Sequence, residues 1–294
     1  MRLTQLRSFH AVAKAGGFTG GSKLLHISQP TVTTQVRFLE ESYGIELFVR
    51  KGHSVKLTPL GDKLFTLTQK IFAIEDEAIH FLKDAGDLKT GQLTISAVGP
   101  FHVTEMLTSF NKKFPDIKVR VQVGNSESVL NMVKNYDADI AVLAHFTDDP
   151  TFLSTPYSTN PIVLFVNKHH RFANKKTIKL NELNNEPMIL REDGSTTRKA
   201  FDELCRKKKV YPKIMMEIGS REAIREAVIK GIGVSVVSEF EYIPDPDICK
   251  IPFSDASIYT HAHVVCLKER KDARLVKAFL EIVSKLKIDN GSLP

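Results

Sequence analysis

The sequence predicts an α/β chain in three parts: a small basic helical head closed by a hairpin, one long amphipathic helix, and a two-lobed body. Three observations carry this. Apolar residues recur at helical spacing through residues 3–43 and then give way to two short strand-like stretches. From Leu60 they step by alternate fours and threes for more than three heptads. After Gly91, strand-like and helix-like segments alternate to the end of the chain.

The bulk composition bounds the answer before any motif is read. At 294 residues, with 42% hydrophobic and 26% charged, the chain has room for about two domains and is too apolar to be disordered. Runs such as Ile162–Val166 and Val234–Val237 fall far short of the roughly 20 apolar residues that span a bilayer. The N-terminal stretch lacks the apolar core and small-residue cleavage site of a secretory signal. Cys205, Cys249 and Cys266 are odd in number, widely spaced and form no CxxC pair. A cytoplasmic protein is the expectation.

The net charge of +7 is unevenly spread. Residues 1–58 carry eight Lys/Arg against three Glu, whereas residues 59–87 carry three Lys against six acids. A dense basic head is the electrostatic footprint of a polyanion-binding module.

Within that head, Leu3, Leu6, Phe9, Val12 and Ala13 mark a first helix over 3–15, stopped by Gly16-Gly17. Thr19 is the expected N-cap of a short second helix ending at Leu25. Ser28 caps a third, with Pro30 in its first turn and Val32, Val36, Leu39 and Tyr43 as its apolar stripe; Gly44 ends it. Ile45–Val49 and Ser54–Thr58 then form a hairpin around the basic tip Lys51-Gly52-His53. A helix rich in Gln, Thr and Arg beside a basic hairpin meets the needs of major-groove reading, a winged helix-turn-helix. A small helical bundle with a polar face has the same periodicity.

Phe18, Leu25, Ser28-Gln29, Leu39-Glu40, Gly44, Leu47-Phe48, Arg50, Leu57-Thr58 and Gly61 stand at the spacing of the LysR-type transcriptional regulators, and the chain resembles that family here. The resemblance implies double-stranded DNA as partner, at an operator with dyad symmetry. Chemistry and resemblance together give Gln29, Thr31, Thr34 and Arg37 as candidates for base edges and Thr33, Arg50, Lys51 and His53 for phosphates, with Ser28 and Pro30 setting the start of the reading helix. The family usually has alanines where Gly21 and Ser22 stand, and often basic residues where Thr34 and His53 stand.

Leu60, Leu64, Leu67, Ile71, Ile74, Ala78, Phe81 and Ala85 form the seam of a coiled coil, begun by Thr58-Pro59. Such a rod suits a dimer on two half-sites. A helix packed on its own domain is the alternative, and Phe65, Phe72, Ile79 and Leu82 widen the stripe in that sense. The resemblance implies homodimers through this helix, pairing into tetramers. The expected divisions are 1–58 for DNA binding, 59–89 for the linker and 90–294 for the effector domain.

In the body, strands are expected at Gln92–Val98, Ile117–Val123, Ala138–Ala144, Ile162–Asn167, Pro187–Arg191, Lys213–Ile218, Val234–Val237 and His261–Lys268. Helices are expected between them at Phe101–Phe114, Ser126–Tyr136, Thr196–Lys208 and Arg221–Lys230, with a last one at Ala273–Lys287. This alternation reads as parallel sheet, lobe I at 90–160 and 262–294 and lobe II at 161–261, with crossings near Pro161 and Phe253–His261. Ligands of such sheets sit beyond the carboxyl ends of strands, against helix N-termini. Four such ends stand out: Gly99, Pro100, Phe101 and His102; Ser126; Ser195, Thr196, Thr197 and Arg198; and Ser220. Their hydroxyls and N–H groups suit a small anion such as a carboxylate, sulfate or phosphonate; each Ser or Thr taken singly is equally an N-cap. The runs Arg191–Phe201 and Ser220–Glu239 resemble LysR-type effector domains, a fold similar to type-2 periplasmic binding proteins with the inducer between lobes. The stretch Arg221–Pro246 resembles regulators of organophosphonate use.

No GxSxG, HExxH, GxxxxGK[ST] or GxGxxG occurs, so no enzyme and no cofactor is expected. His261-x-His263 and His169-His170 lack a third ligand, and no metal site is expected. A cytosolic solute sensor without a DNA-binding role is the second functional reading.

Overall fold

Apolar spacing in the head becomes three helices, α1 (Leu3–Ala15), α2 (Phe18–Leu25) and α3 (Gln29–Tyr43), in the computed structural model. It describes residues 1–51, 54–83, 91–146 and 148–289, in two units, 1–85 and 86–294. Phe9, Val12, Val32, Val36, Leu39 and Leu47 form the head's core. Gly17, not Thr19, is the N-cap of α2; the Thr19 hydroxyl, in the first turn, donates to Gln29 Oε1 at 3.0 Å. Gly21 and Ser22 are buried in an unbroken α2. Tyr43 leaves the predicted stripe and is exposed, because the core ends one turn earlier at Leu39.

The hairpin is shorter than its sequence suggests, β1 (Phe48–Lys51) pairing antiparallel with β2 (Ser54–Leu57). Glu40 explains the late start: its Oε1 accepts from the backbone N–H of Leu47 at 2.7 Å and of Phe48 at 3.3 Å, holding the chain in a turn there. The next helix, α4 (Pro59–Lys83), begins where Gly61 N donates to the Thr58 hydroxyl at 2.9 Å. A Cβ on Gly61 would lie 2.1 Å from the Leu47 carbonyl, so only glycine permits this close approach.

One face of α4 lies on α1. Phe72 is buried, His10 sits between the rings of Phe65 and Phe72, and Arg7 donates to Glu75 at 2.5 Å. The predicted seam lies largely elsewhere: Leu60, Leu67, Ile71, Ile74 and Ala78 are exposed in the single chain, while Leu64 is partly buried against the head core. Ala85 and the side chain of Phe81 lie outside the described residues.

In the body, β3 (Gln92–Ala97), β4 (Lys118–Val123) and β5 (Ile140–Leu143) are parallel, as the alternation predicts. Helices α5 (Pro100–Lys113) and α6 (Ser126–Lys134) connect them. The sheet as a whole is mixed, which corrects the parallel expectation. β6 (Phe152–Asn167) leaves this lobe and β11 (Tyr259–Leu267) returns to it, antiparallel to each other, because one chain must go out and come back through neighbouring strands. Up to Pro161, β6 pairs with β11; from Ile162 it pairs with β9 (Ser235–Ser238) and β10 (Ile248–Ile251) in the second lobe.

The first half of β6 and all of β10 escape the sequence reading. Pro156 and Pro161 argue against a strand, yet a register shift opposite Ala262/His263 absorbs the extra residue, and Tyr157 is buried with its hydroxyl donating to Glu105 at 2.8 Å. The second lobe is completed by β7 (Pro187–Leu190) parallel to β8 (Lys213–Glu217), with α7 (Thr196–Lys208) and α8 (Arg221–Ile229). The final helix, α9 (Arg274–Asp289), packs Val276, Phe279 and Val283 onto the first lobe's core. No described helix is long and apolar enough to cross a membrane.

Candidate DNA-reading face and effector cleft

The start of α3 is fixed by its own side chains. Ser28 Oγ accepts from Thr31 N at 3.3 Å and lies 2.7 Å from the Thr31 hydroxyl, while Thr33 donates back to the Gln29 carbonyl at 2.9 Å. Ser28, Gln29, Pro30, Thr31, Thr34 and Arg37 are exposed, and Thr33 is half-buried. Ser8 Oγ, buried on α1, donates to Gln35 at 2.5 Å and anchors the helix from behind. Arg37 Nε donates to Glu41 at 2.6 Å; that hydrogen bond, then the carboxylate's charge, raises the guanidinium pKa further. Arg50 and Lys51 belong to β1, but their side chains lie outside the described residues, as does all of His53.

In the body, the ends of three strands meet between the lobes. Asn125 caps α6 by accepting from Ser128 N at 2.9 Å, and Ser195 caps α7 by accepting from Arg198 N at 3.4 Å. Across the cleft the Ser126 and Thr196 hydroxyls are 2.5 Å apart. A Cβ on Gly194 would fall 2.4 Å from Asn125 Nδ2, so the lobes touch here because that residue has no side chain. The space among Ser126, Arg191, Ser195, Thr196 and Thr197 is only about 10 Å³, roughly one water. A cavity of about 860 Å³ shares Ser126 and Thr196 and extends past Lys199, His145 and His261.

Two arginines that the sequence reading left out dominate this cleft. Arg191 grips Glu192 through Nε at 2.8 Å and Nη2 at 2.9 Å, while its Nη1 is buried without a hydrogen-bond partner. Burial works to raise the Glu192 carboxyl's pKa, but bonds from Arg191 and its own backbone N–H outweigh it and hold the group low. Arg221, the first residue of α8, donates to the Val98 carbonyl of the other lobe at 2.7 Å and to Glu241 at 2.9 Å.

Gly99, Phe101 and His102 line the cleft near Glu241 and Ser238. The His102 ring stacks on Phe240 at 4.1 Å and 4°. Burial pushes the imidazole down to about 4, against a smaller opposing pull from Glu105.

Three expected residues are not brought in. Pro100 is exposed in the first turn of α5. Ser220 is exposed, capping α8 and donating to Glu222 at 2.7 Å. Arg198 is engaged with the Arg191 carbonyl at 2.8 Å and Asp202 at 2.5 Å. Arg191 was within reach of the strand-end rule, since it directly follows β7; nothing local marks Arg221 or Glu241.

A helix-turn-helix head joined in one chain to a two-lobed body with a donor-lined cleft defines a ligand-responsive DNA-binding regulator. Residues 3–62 match the bacterial regulatory helix-turn-helix proteins of the lysR family, and residues 86–286 match the LysR substrate binding domain. The chain belongs to the LysR family of DNA-binding transcriptional regulators with a small-molecule-binding domain. It is 28% identical over 285 residues to the HTH-type transcriptional activator CmpR of Synechocystis sp., covering 95% of this chain and 93% of the relative. It superposes on CbnR complexed with its target DNA with a TM-score of 0.70 at 21% identity, covering 97% of this chain and 99% of CbnR. The regulatory domain of Synechocystis PCC6803 CcmR in complex with 2-PG matches with a TM-score of 0.62 at 25% identity, covering 67% of this chain and 97% of that domain.

Proposed function

We propose that this regulator responds to a small oxyanion, a carboxylate, sulfate or phosphonate, held between the lobes by Arg191 and by the hydroxyls and first-turn N–H groups of Ser126, Thr196 and Thr197. The observation that carries this is the buried, unpartnered Nη1 of Arg191 beside the N-termini of α6 and α7. A desolvated donor without an acceptor is costly, and an anion removes that cost. With only about 10 Å³ free, entry requires the Ser126–Thr196 contact to open. Ligand therefore favours a different lobe arrangement from the empty one, which is the differential affinity a switch needs. CcmR, whose regulatory domain resembles this one, binds 2-PG, which supports a small-molecule effector here.

On the DNA side, the reading assigns Gln29, Thr31, Thr34 and Arg37 to base edges and Thr33, Arg50, Lys51 and His53 to phosphates. It assigns the exposed seam of α4 to a homodimer in the cytoplasm, pairing further into a tetramer, on an operator with dyad symmetry. The test is a thermal-shift and titration series on the full-length protein with sulfate, phosphate, methylphosphonate and acetate. At least one should raise the melting temperature saturably, and Arg191→Ala should weaken it about ten- to a hundredfold, the loss of one charge-assisted hydrogen bond. No response to any of the four, or an unchanged affinity in Arg191→Ala, rejects the anion.

A further inference from the structure

A second cavity, of about 290 Å³, lies under α8 and is bounded by Phe101, Phe165, Arg225, Val237, Tyr242 and Ile243. It is at the lower end of the size of small-molecule sites, and its walls are mostly apolar with a few polar groups, the usual make-up of such sites. Phe101 comes from the first lobe; the other five belong to the second.

Its charges are already matched. Arg221 pairs with Glu241, and Arg225 pairs with Glu226 at 3.1 Å and with Asp245. Glu222 takes the Ser220 hydroxyl at 2.7 Å. A guest anion would meet three carboxylates, Glu222, Glu226 and Glu241, against two guanidiniums. A guest cation would find no unmatched acceptor identified there. One polar atom is unmet: Nε of Arg225 is buried with no hydrogen-bond partner. An N–H donor at an aromatic and aliphatic wall asks for an uncharged ring bearing one acceptor oxygen.

We propose that this cavity is a second ligand site, for a small uncharged aromatic molecule whose oxygen accepts from Arg225 Nε and whose ring lies among Phe101, Phe165 and Tyr242. Because Phe101 is contributed by the other lobe, an occupant touches both and favours the arrangement that keeps Phe101 over it. The site does not depend on the anion reading; Arg191 takes no part in it.

The probe is acetophenone, with benzoate and phenethylamine as charged counterparts, measured on the full-length protein by ligand-observed saturation-transfer NMR and calorimetric titration. Acetophenone should bind saturably and at least about tenfold more tightly than either counterpart. Ile243→Trp, on the half-exposed rim, should fill the cavity and abolish binding. Arg225→Lys keeps the charge but removes Nε–H, and should weaken binding about tenfold. Arg191→Ala should leave acetophenone binding unchanged, so failure here is distinguishable from failure of the oxyanion site. Absence of saturable binding by the wild type overturns the proposal. So does undiminished binding in Ile243→Trp, or a preference for either charged counterpart.

Discussion

Two Arg–Glu pairs in this protein contrast its two working surfaces. On α3, Arg37 is bonded to Glu41 with their side chains 74% and 51% exposed. At the cleft, Arg191 is bonded to Glu192 with side chains only 9% and 26% exposed. The first pair is screened by water and salt and contributes at most about 1 kcal/mol, so a base or phosphate can displace Glu41 cheaply. The second is held in a desolvated setting where the guanidinium cannot swing away, and its spare N–H keeps a fixed direction. Solvated polar side chains on a helix make an adaptable reading face; desolvated ones between two lobes make a pre-shaped receptor. The head must accept DNA phosphates and several bases, while the body must select one small molecule.

The sharpest way to break this contrast is at the helix that gives the reading face its second copy. Leu67 and Ile74, 56% and 64% exposed in the single chain, have no packing role within it. Replacing both by Asp should yield folded monomers in sedimentation and reduce operator affinity at least about a hundredfold, since two linked half-sites bind far more tightly than one. Intact dimers would show that the seam lies elsewhere.

The desolvated side can be tested with acid. His102 titrates near 4 in the fold, against 6.5 for the free side chain. Between those values the unfolded chain takes up a proton that the folded chain refuses. Its contribution is therefore complete above about pH 6.5 and is lost as pH falls towards 4. After discounting for partial exposure, the loss is about 2 kcal/mol. Denaturant unfolding should show this acid sensitivity shrinking by that amount in His102→Asn.

On the solvated side, Gln29→Ala should relax base preference by about 1–3 kcal/mol in competition binding, with little change in affinity for unrelated DNA. An equal loss for all sequences would move Gln29 to a positioning role. The smallest effect expected is for Ser28→Ala, about 1 kcal/mol of head stability in thermal unfolding, because only one capping bond is removed.

How far each region could be read from the chain follows from the same contrast. The head's elements depend on neighbours within a few residues: Gly16 and Gly44 at helix ends, Ser28 as cap, and Val32, Val36 and Leu39 at helical spacing. The errors there, at Thr19, Tyr43 and the start of β1, arose where a tertiary contact overrode the local signal, as Glu40 does for Leu47 and Phe48. In the body, α7 matches its expected span, Thr196–Lys208, because its cap and stripe are local. The first half of β6 does not, because Pro156 is tolerated only through a register shift against a strand a hundred residues away.

By itself, then, the sequence determined the kind of molecule: periodicity, caps and family spacing are short-range properties, and they specify a reading helix, a long seam helix and alternating strands. Only the tertiary structure decided which polar groups share the cleft. It brought Arg191 and Arg221 in and left Ser220, Arg198 and Pro100 outside. The reason is physical: burial and the partners left for each donor are set by segments far apart in the chain, and no spacing along it records them.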